Sequence, residues 1–464
     1  MMKALGLNPY LPSWEYVPDG EPYVFGDRVY VYGSHDTFNG HVFCMGDYIC
    51  WSAPLDDLGN WRYEGVIYPR NEDPLNKDGR MCLYAPDVTV GPDGRYYLFY
   101  VLDKVSVVSV AVCDTPAGRY EFLGYVHYAD GTRLGDRPGD EPQFDPGVLT
   151  EGERTYMYTG FCGHGDKSRH GAMVTVLGPD MLTIIEEPRF VVPGVMYAAG
   201  TGFEGHAFFE ASSIRKHGDT YYFVYSSTPM HELCYAVSKS PLEGFRYGGV
   251  IVSNCDLHMG SKPELPKAYG GNNHGSIVEI AGQWYIFYHR QTNAHWFSRQ
   301  GCAEPITILP DGSIPQVEMT SCGLNGGPLP GKGTYPAYIA CHLYTPDRTM
   351  YADDPGAPRV TQDGRDGDQI PGHIAFIRNG TVIGFRYFDF ADVKQITLTT
   401  RAYCGGEFEV RIAPDAPVLA RVPVQSSNIW VPNTAPITLP DGPHALYLTY
   451  VGTGTPSLAS MSFE

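Results

Sequence analysis

The chain has 464 residues, more than one small core can organise, and reads as two domains. Its formal net charge of −19, with no Lys/Arg cluster, excludes a nucleic-acid binder, and no apolar run reaches the roughly 18 residues of a membrane span. Charged residues make up only 18%, so the polar surface falls to Gly (54), Pro (38) and Tyr (34), a composition of tight turns and half-buried strands that suits sugar contact. The 11 cysteines form no CxxC pair, which argues against a zinc ribbon or a thioredoxin-like site. The opening MMKALGLNPYLPSWEY lacks a long apolar stretch with a cleavage site. These features set the expectation of a reduced, cytoplasmic protein with buried thiols.

In chain order, five aromatic-rich strand patterns recur over residues 1–322. They are RVYVYGS around Tyr30, RYYLFYV around Tyr97, RTYMYTG around Tyr156, TYYFVYS around Tyr222 and QWYIFYH around Tyr285. The tyrosines are spaced by 67, 59, 66 and 63 residues, and a Gly-containing turn precedes each pattern. Each unit reads as strand, turn, Tyr-rich strand and a further strand such as SVVSVAV or ELCYAVS. Repeated five times, this four-stranded antiparallel meander predicts an all-β, five-bladed β-propeller. The Gly/Pro-rich stretch 323–333, GLNGGPLPGKG, is the expected linker. Beyond it VIGFRYFDF, QITLTTRAY, GEFEVRIA and HALYLTYVG alternate as short strands, which predicts a β-sandwich over 334–464.

Acidic or imidazole side chains stand at matching offsets before the repeat tyrosines. Asp19 lies 11 residues before Tyr30, Asp87 10 before Tyr97, Asp145 11 before Tyr156, Glu210 12 before Tyr222 and His274 11 before Tyr285. Propeller rotation relates equivalent positions, so these five should ring one mouth of the central channel. Convergent carboxylates raise one another's pKa and are costly unless used. Glycoside hydrolysis uses such a set, with one carboxylic acid to protonate the leaving oxygen and one carboxylate to activate water or attack the sugar. A cation site is the rival reading of the same side chains.

The motifs PDGEPYVFGDRVYVYGSHD (Pro18–Asp36), LYAPDV (Leu83–Val88), FDPGV (Phe144–Val148), FFEASSIRK (Phe208–Lys216) and NNHGSIVEIAGQWYIFYHR (Asn272–Arg290) carry a further signal. Through them the first 320 or so residues resemble glycoside hydrolase family 43, whose members are five-bladed propellers with a funnel-shaped site. The resemblance implies inverting hydrolysis, with Asp19 as general base, Glu210 as general acid and Asp145 tuning and orienting the acid. The family's Asp-Pro at the base is Asp19-Gly20 here, with Glu21 as the fallback. It further implies sugar contacts from Tyr84, Asp87, Phe144, His274 and Arg299. No cofactor enters the chemistry, and His274 marks a place for a structural calcium or sodium ion. Arg290 reads either as a pocket residue or as a brace of blade five. The implied substrates are oligosaccharides with terminal arabinofuranose or xylose; a galactose-specific enzyme and a non-catalytic, lectin-like propeller stay open. The C-terminal domain resembles the carbohydrate-binding sandwiches attached to this family, with Trp430 stacking on sugar, packed in the core or facing the propeller. Homo-oligomerisation is left open.

Overall fold

A computed structural model describes residues 3–258, 265–347 and 354–464, and it is β-rich throughout. Four sheets have four antiparallel strands each, in simple sequence order. The first blade comprises Glu21–Phe25, Arg28–Tyr32, Tyr48–Pro54 and Arg62–Tyr68. The second runs from Leu83–Val90 to Glu121–Tyr125, the third from Gly147–Glu151 to Ile184–Pro193, and the fourth from Phe208–His217 to Arg246–Ser253. The inner hairpins turn tightly: Gly26 (φ 63°) in blade one and Gly282 (φ 86°) in blade five take the left-handed backbone that a Cβ disfavours.

The fifth blade departs from the expected four strands. Among the described residues, Ile277–Ile280, Gln283–Gln291 and Arg299–Ile306 alone pair. The N-terminal segment runs along the third of these. Tyr10 N–H donates to Gly301 O at 3.2 Å. The Asn8 side chain bonds both the N–H (2.9 Å) and the C=O (3.0 Å) of Ala303. Gly20 bridges Gly275, joining the inner edges of blades one and five. The first residues of the chain therefore close the ring against the last blade.

The propeller core lies between blades. Val29, Val31 and Trp51 pack on Val278 and Phe287 between blades one and five. Tyr32 and Ile67 pack on Leu98 and Tyr100 between blades one and two. Alternation along each strand supplies one face to each neighbouring blade, which is why the Tyr-rich strands have no polar side.

The C-terminal sandwich stacks two six-stranded sheets. One is centred on Val382–Phe390 and Gly442–Thr453, the other on Gln395–Ala402 and Ser457–Phe463. Phe385, Phe388, Leu398, Phe408, Leu448 and Met461 fill the space between them. In 323–333, Gly323–Asn325 form a 3₁₀ turn with Leu324 buried, and Leu329–Pro330 pair with Phe388–Asp389. Trp430 lies beneath the Arg401 guanidinium, 4.3 Å from the ring centre. Arg290 braces the two domains: it bonds Gln300 within its own blade at 2.9 Å and the sandwich carbonyls of Tyr338 and Ala340 at 2.7 and 2.9 Å. Asp256 does the same, accepting from His342 at 2.7 Å and Arg386 at 3.0 Å. All 11 cysteines are unpaired, and ten of them are buried.

Candidate active site

A pocket of about 290 Å³ opens at one end of the propeller axis. Asp19, Asp145, Glu210 and His274 line it, together with Tyr84, Phe144 and Arg299. The inner strands place the three carboxylates through unusual backbone. Asp19 (φ 57°) and Asp145 (φ 44°) are left-handed immediately before strands one and three, and Ala211 (φ 68°) is left-handed immediately after Glu210. Such positions cost about 1–3 kcal/mol each and persist where the surroundings hold them. Here they aim polar groups. The strained Ala211 N–H donates to Asp145 Oδ2 at 3.0 Å, tying the Glu210 strand to Asp145. Gly147, two residues beyond Asp145, leaves no room for a side chain, since a Cβ there would lie 2.4 Å from the Ser212 carbonyl.

Arg299 sets the electrostatics. Its Nη1 donates to Asp19 Oδ1 at 2.9 Å, and its Nε and Nη2 clamp Asp36 at 2.8 and 3.0 Å. Burial alone would raise the Asp19 carboxyl, but Arg299, with His289 3.3 Å away, holds it well below the usual range. Glu210 is pushed up to about 8, first by burial and then by the Asp19 charge. Asp145 is raised as well, by burial and by Glu210. Of that pair, Asp145 accepts a backbone N–H while no hydrogen bond from the described residues reaches Glu210, so the shared proton resides on Glu210. His274 is lowered to about 4 by burial and is neutral; its Nδ1 lies 3.7 Å from Asp145 and 4.0 Å from Asp19.

Asp87, a ring member, and Glu21 do not line the pocket. Asp87 is fully buried, accepting from Tyr23 Oη (2.7 Å), Val88 N (2.8 Å) and Val148 N (2.7 Å), and so stitches three inner strands together. Glu21, the fallback base, is held by Arg215 at 2.6 Å and Ser213 at 3.1 Å.

The walls are aromatic. Tyr84 meets Phe144 edge-on at 5.6 Å, Phe144 meets Phe161 at 5.4 Å, and Phe161 meets Phe209 at 5.3 Å. Phe43, Cys44, Met230, Asn272 and Trp296 also line it. Sequence reasoning did not single out these five, nor Asp36 and His289. Asp36 closes the GSHD run and His289 breaks an aromatic strand, and a buried polar group in such company was the available signal.

A pocket that keeps one carboxylate ionised and another protonated, walled by aromatic rings, is built for acid–base cleavage of glycosidic bonds. Fold and site together define a β-propeller glycoside hydrolase. The chain belongs to the glycosyl hydrolases family 43, whose sequence profile matches residues 17–314. It is 67% identical over 469 residues to a xylosidase/arabinosidase of Thermoclostridium stercorarium, a match spanning 99% of each chain. Among solved structures it resembles a family 43 β-xylosidase/α-arabinofuranosidase from a compost microbial metagenome, solved with xylotriose in a calcium-free form. That likeness has 25% identity and a TM-score of 0.53, and covers 68% of this chain and 98% of the other. The two-domain fold recurs in an arabinoxylan arabinofuranohydrolase from Bacillus subtilis (21% identity, TM-score 0.53, 98% of this chain and 97% of the other).

Proposed function

We propose that the protein is an inverting glycosidase that releases terminal arabinofuranose or xylose from plant-polysaccharide oligosaccharides. The observation that carries this reading is the convergence of Asp19, paired with Arg299 at 2.9 Å, and Glu210 on one small pocket. Asp19, ionised by Arg299, takes a proton from water on one face of the sugar. Glu210, still protonated, delivers its proton to the leaving oxygen on the other. Asp145 holds the Ala211 amide, and with it the acid's strand, while its own carboxyl discourages ionisation of Glu210. A volume of about 290 Å³, at the lower end for small-molecule sites, suits a single terminal sugar. The name of the Thermoclostridium relative and the xylotriose bound to the metagenomic enzyme support a pentose substrate.

A cation also fits beneath the sugar. Among the described residues, Glu21 Oε1 is the one buried carboxylate oxygen without a hydrogen-bond partner, and it faces His274 Nε2 at 3.8 Å. Burial, then the nearby Asp87, raise Glu21 to about 8 despite Arg215 at 2.6 Å, so Arg215 alone does not offset the cost of a charge there. Glu21, with His274 beside it, would hold a calcium or sodium ion, which supplies fixed positive charge when bound. Proton transfer stays with Asp19 and Glu210.

The test is a panel of p-nitrophenyl pentosides and galactosides, with the first anomer released followed by proton NMR. Turnover of α-L-arabinofuranoside or β-D-xyloside with inverted configuration is expected. Retention, or turnover of galactosides alone, refutes the reading.

A further inference from the structure

One wall of the pocket is carried by two loops. Phe43 and Cys44 come from residues 33–47, between the second and third strands of blade one. Trp296 comes from residues 292–298, just before Arg299 in blade five. The loops brace each other. Phe43 meets Phe297 edge-on at 4.8 Å, Ser298 Oγ donates to Thr37 O at 3.0 Å, and Asn293 Nδ2 donates to Asn39 Oδ1. Both contain non-glycine residues in left-handed backbone: Asn39 (φ 57°), Cys44 (φ 60°), Asn293 (φ 54°) and Ala294 (φ 52°). Loops strained at that many positions need an outside hold.

The hold comes from the other domain. Asn293 N–H donates to Val360 O at 2.8 Å, and Thr361 Oγ1 donates to Asn293 Oδ1 at 2.8 Å. Asp366 Oδ1 accepts the Phe38 N–H at 2.7 Å, and Gln362 Oε1 accepts Tyr16 Oη at 2.7 Å beside the Tyr16–Phe38 ring stack. Ala294 shares a small buried cluster with Ala357 and Tyr269. The sandwich segment that makes these contacts is itself built rigidly. Arg401 grips Asp363 with two bonds of 3.0 Å, and Asp368 accepts the Arg365 N–H at 2.7 Å.

We propose that sandwich segment 360–368 is a specificity element: through Asp366 and Thr361, acting as positioning residues, it fixes the Phe43–Cys44 and Trp296 wall against the bound oligosaccharide. The sandwich then serves the active site by shaping it, whether or not it binds sugar itself. The proposal rests on the pentosidase reading for its substrate but not for its structural half.

The experiment uses the full-length protein and the variants Asp366→Ala, Asp366→Asn and Thr361→Val. Cys44 is buried, so it should label slowly with a maleimide, as read by peptide mass spectrometry. Asp366→Ala should speed labelling of Cys44 about tenfold, the effect of losing one charge-assisted hydrogen bond, with the melting temperature nearly unchanged. Asp366→Asn keeps an acceptor oxygen and should restore protection. On xylo-oligosaccharides, KM should rise severalfold in Asp366→Ala with kcat within twofold, because the carboxylates are untouched. If Asp366→Ala melts early, Thr361→Val provides the same two readouts from the opposite end of the segment. Unchanged Cys44 labelling in both variants overturns the clamp. Faster labelling with unchanged KM overturns the specificity role. A wild-type enzyme inert on pentosides defeats the functional reading and leaves the labelling test intact.

Discussion

Replacing Glu210 with Gln separates proton donation from everything else the pocket does. The side chain keeps its size, so the aromatic wall and the Asp145–Ala211 bond should survive. In the native pocket Glu210 titrates at about 8, so at about pH 6 it keeps its proton in about 99 of 100 molecules. A positioned general acid contributes about 10²–10⁴-fold, or about 3–5 kcal/mol of barrier. That loss should appear in full on xylo-oligosaccharides, whose leaving alcohol needs the proton. It should nearly vanish on dinitrophenyl glycosides, whose phenolate leaves unaided. The pH profile supplies a second signature. Native activity should fall as pH rises through about 8, where the acid ionises, and this limb should be missing in the variant. Stopped-flow absorbance for the aryl substrates and product chromatography for the oligosaccharides give both numbers. Equal losses on the two substrate types would show that Glu210 is not the acid.

Asp19→Asn should abolish hydrolysis while binding persists, and azide, drawn to the Arg299 guanidinium left without its Asp19 partner, should restore some rate with inverted glycosyl azide as product; near-normal hydrolysis would remove Asp19 from the base role. Glu304, outside the pocket lining, is raised by burial from an ordinary 4.5 to about 8. Its folded form therefore holds a proton that the unfolded carboxyl releases. Its contribution, at most about 5 kcal/mol, is complete below the unfolded value and lost as pH rises through the folded one. Thermal melts of Glu304→Gln should accordingly depend less steeply on pH than the native protein, and an identical slope would refute the assignment. Ending the chain at Gly333 strips Asp256 of His342 and Arg386. Breaking a buried ion pair costs about 3–5 kcal/mol against total stabilities of about 5–15, so the shortened propeller should aggregate on size-exclusion chromatography. A monodisperse, cooperatively melting fragment would contradict this.

The blades were legible because each Tyr-rich strand has a neighbouring blade on both faces, and no solvated side interrupts the aromatic pattern. The ring of Asp19, Asp145, Glu210 and His274 was legible because propeller rotation turns equal sequence offsets into equal positions. The same rule overreached at Asp87. Its offset matches, but the inner strand of blade two carries an irregular register between Tyr84 and Asp87, and the carboxylate is held outside the pocket lining by Tyr23 and two amides. Offset alone also could not show that blade five has three strands, because the pairing of Asn8 and Tyr10 with its last strand spans nearly 300 residues. Trp296 and Phe43 sit in loops, where no periodicity reports which way a side chain points.

What decides acid from base in this pocket is the supply of positive charge. Asp19, Glu21, Asp36, Asp87, Asp145 and Glu210 gather near the axis around two guanidiniums, Arg215 and Arg299. Six negative charges cannot stand so close in a dry channel, so some carboxyls must keep protons. Arg299 is spent on Asp19 and Asp36, and Arg215 on Glu21 and on Tyr23, the tyrosine that bonds Asp87. Asp145 has a single amide, and Glu210 feels only the Arg299 charge already engaged by Asp19 and Asp36, with no hydrogen bond from the described residues. Ionisation therefore begins at Asp19, while Glu210 still holds its proton near neutrality. The order needs no special property of Glu210. It follows from Arg299 lying on blade five beside Asp19, so that the guanidinium that makes the base leaves the carboxyl opposite it to remain an acid.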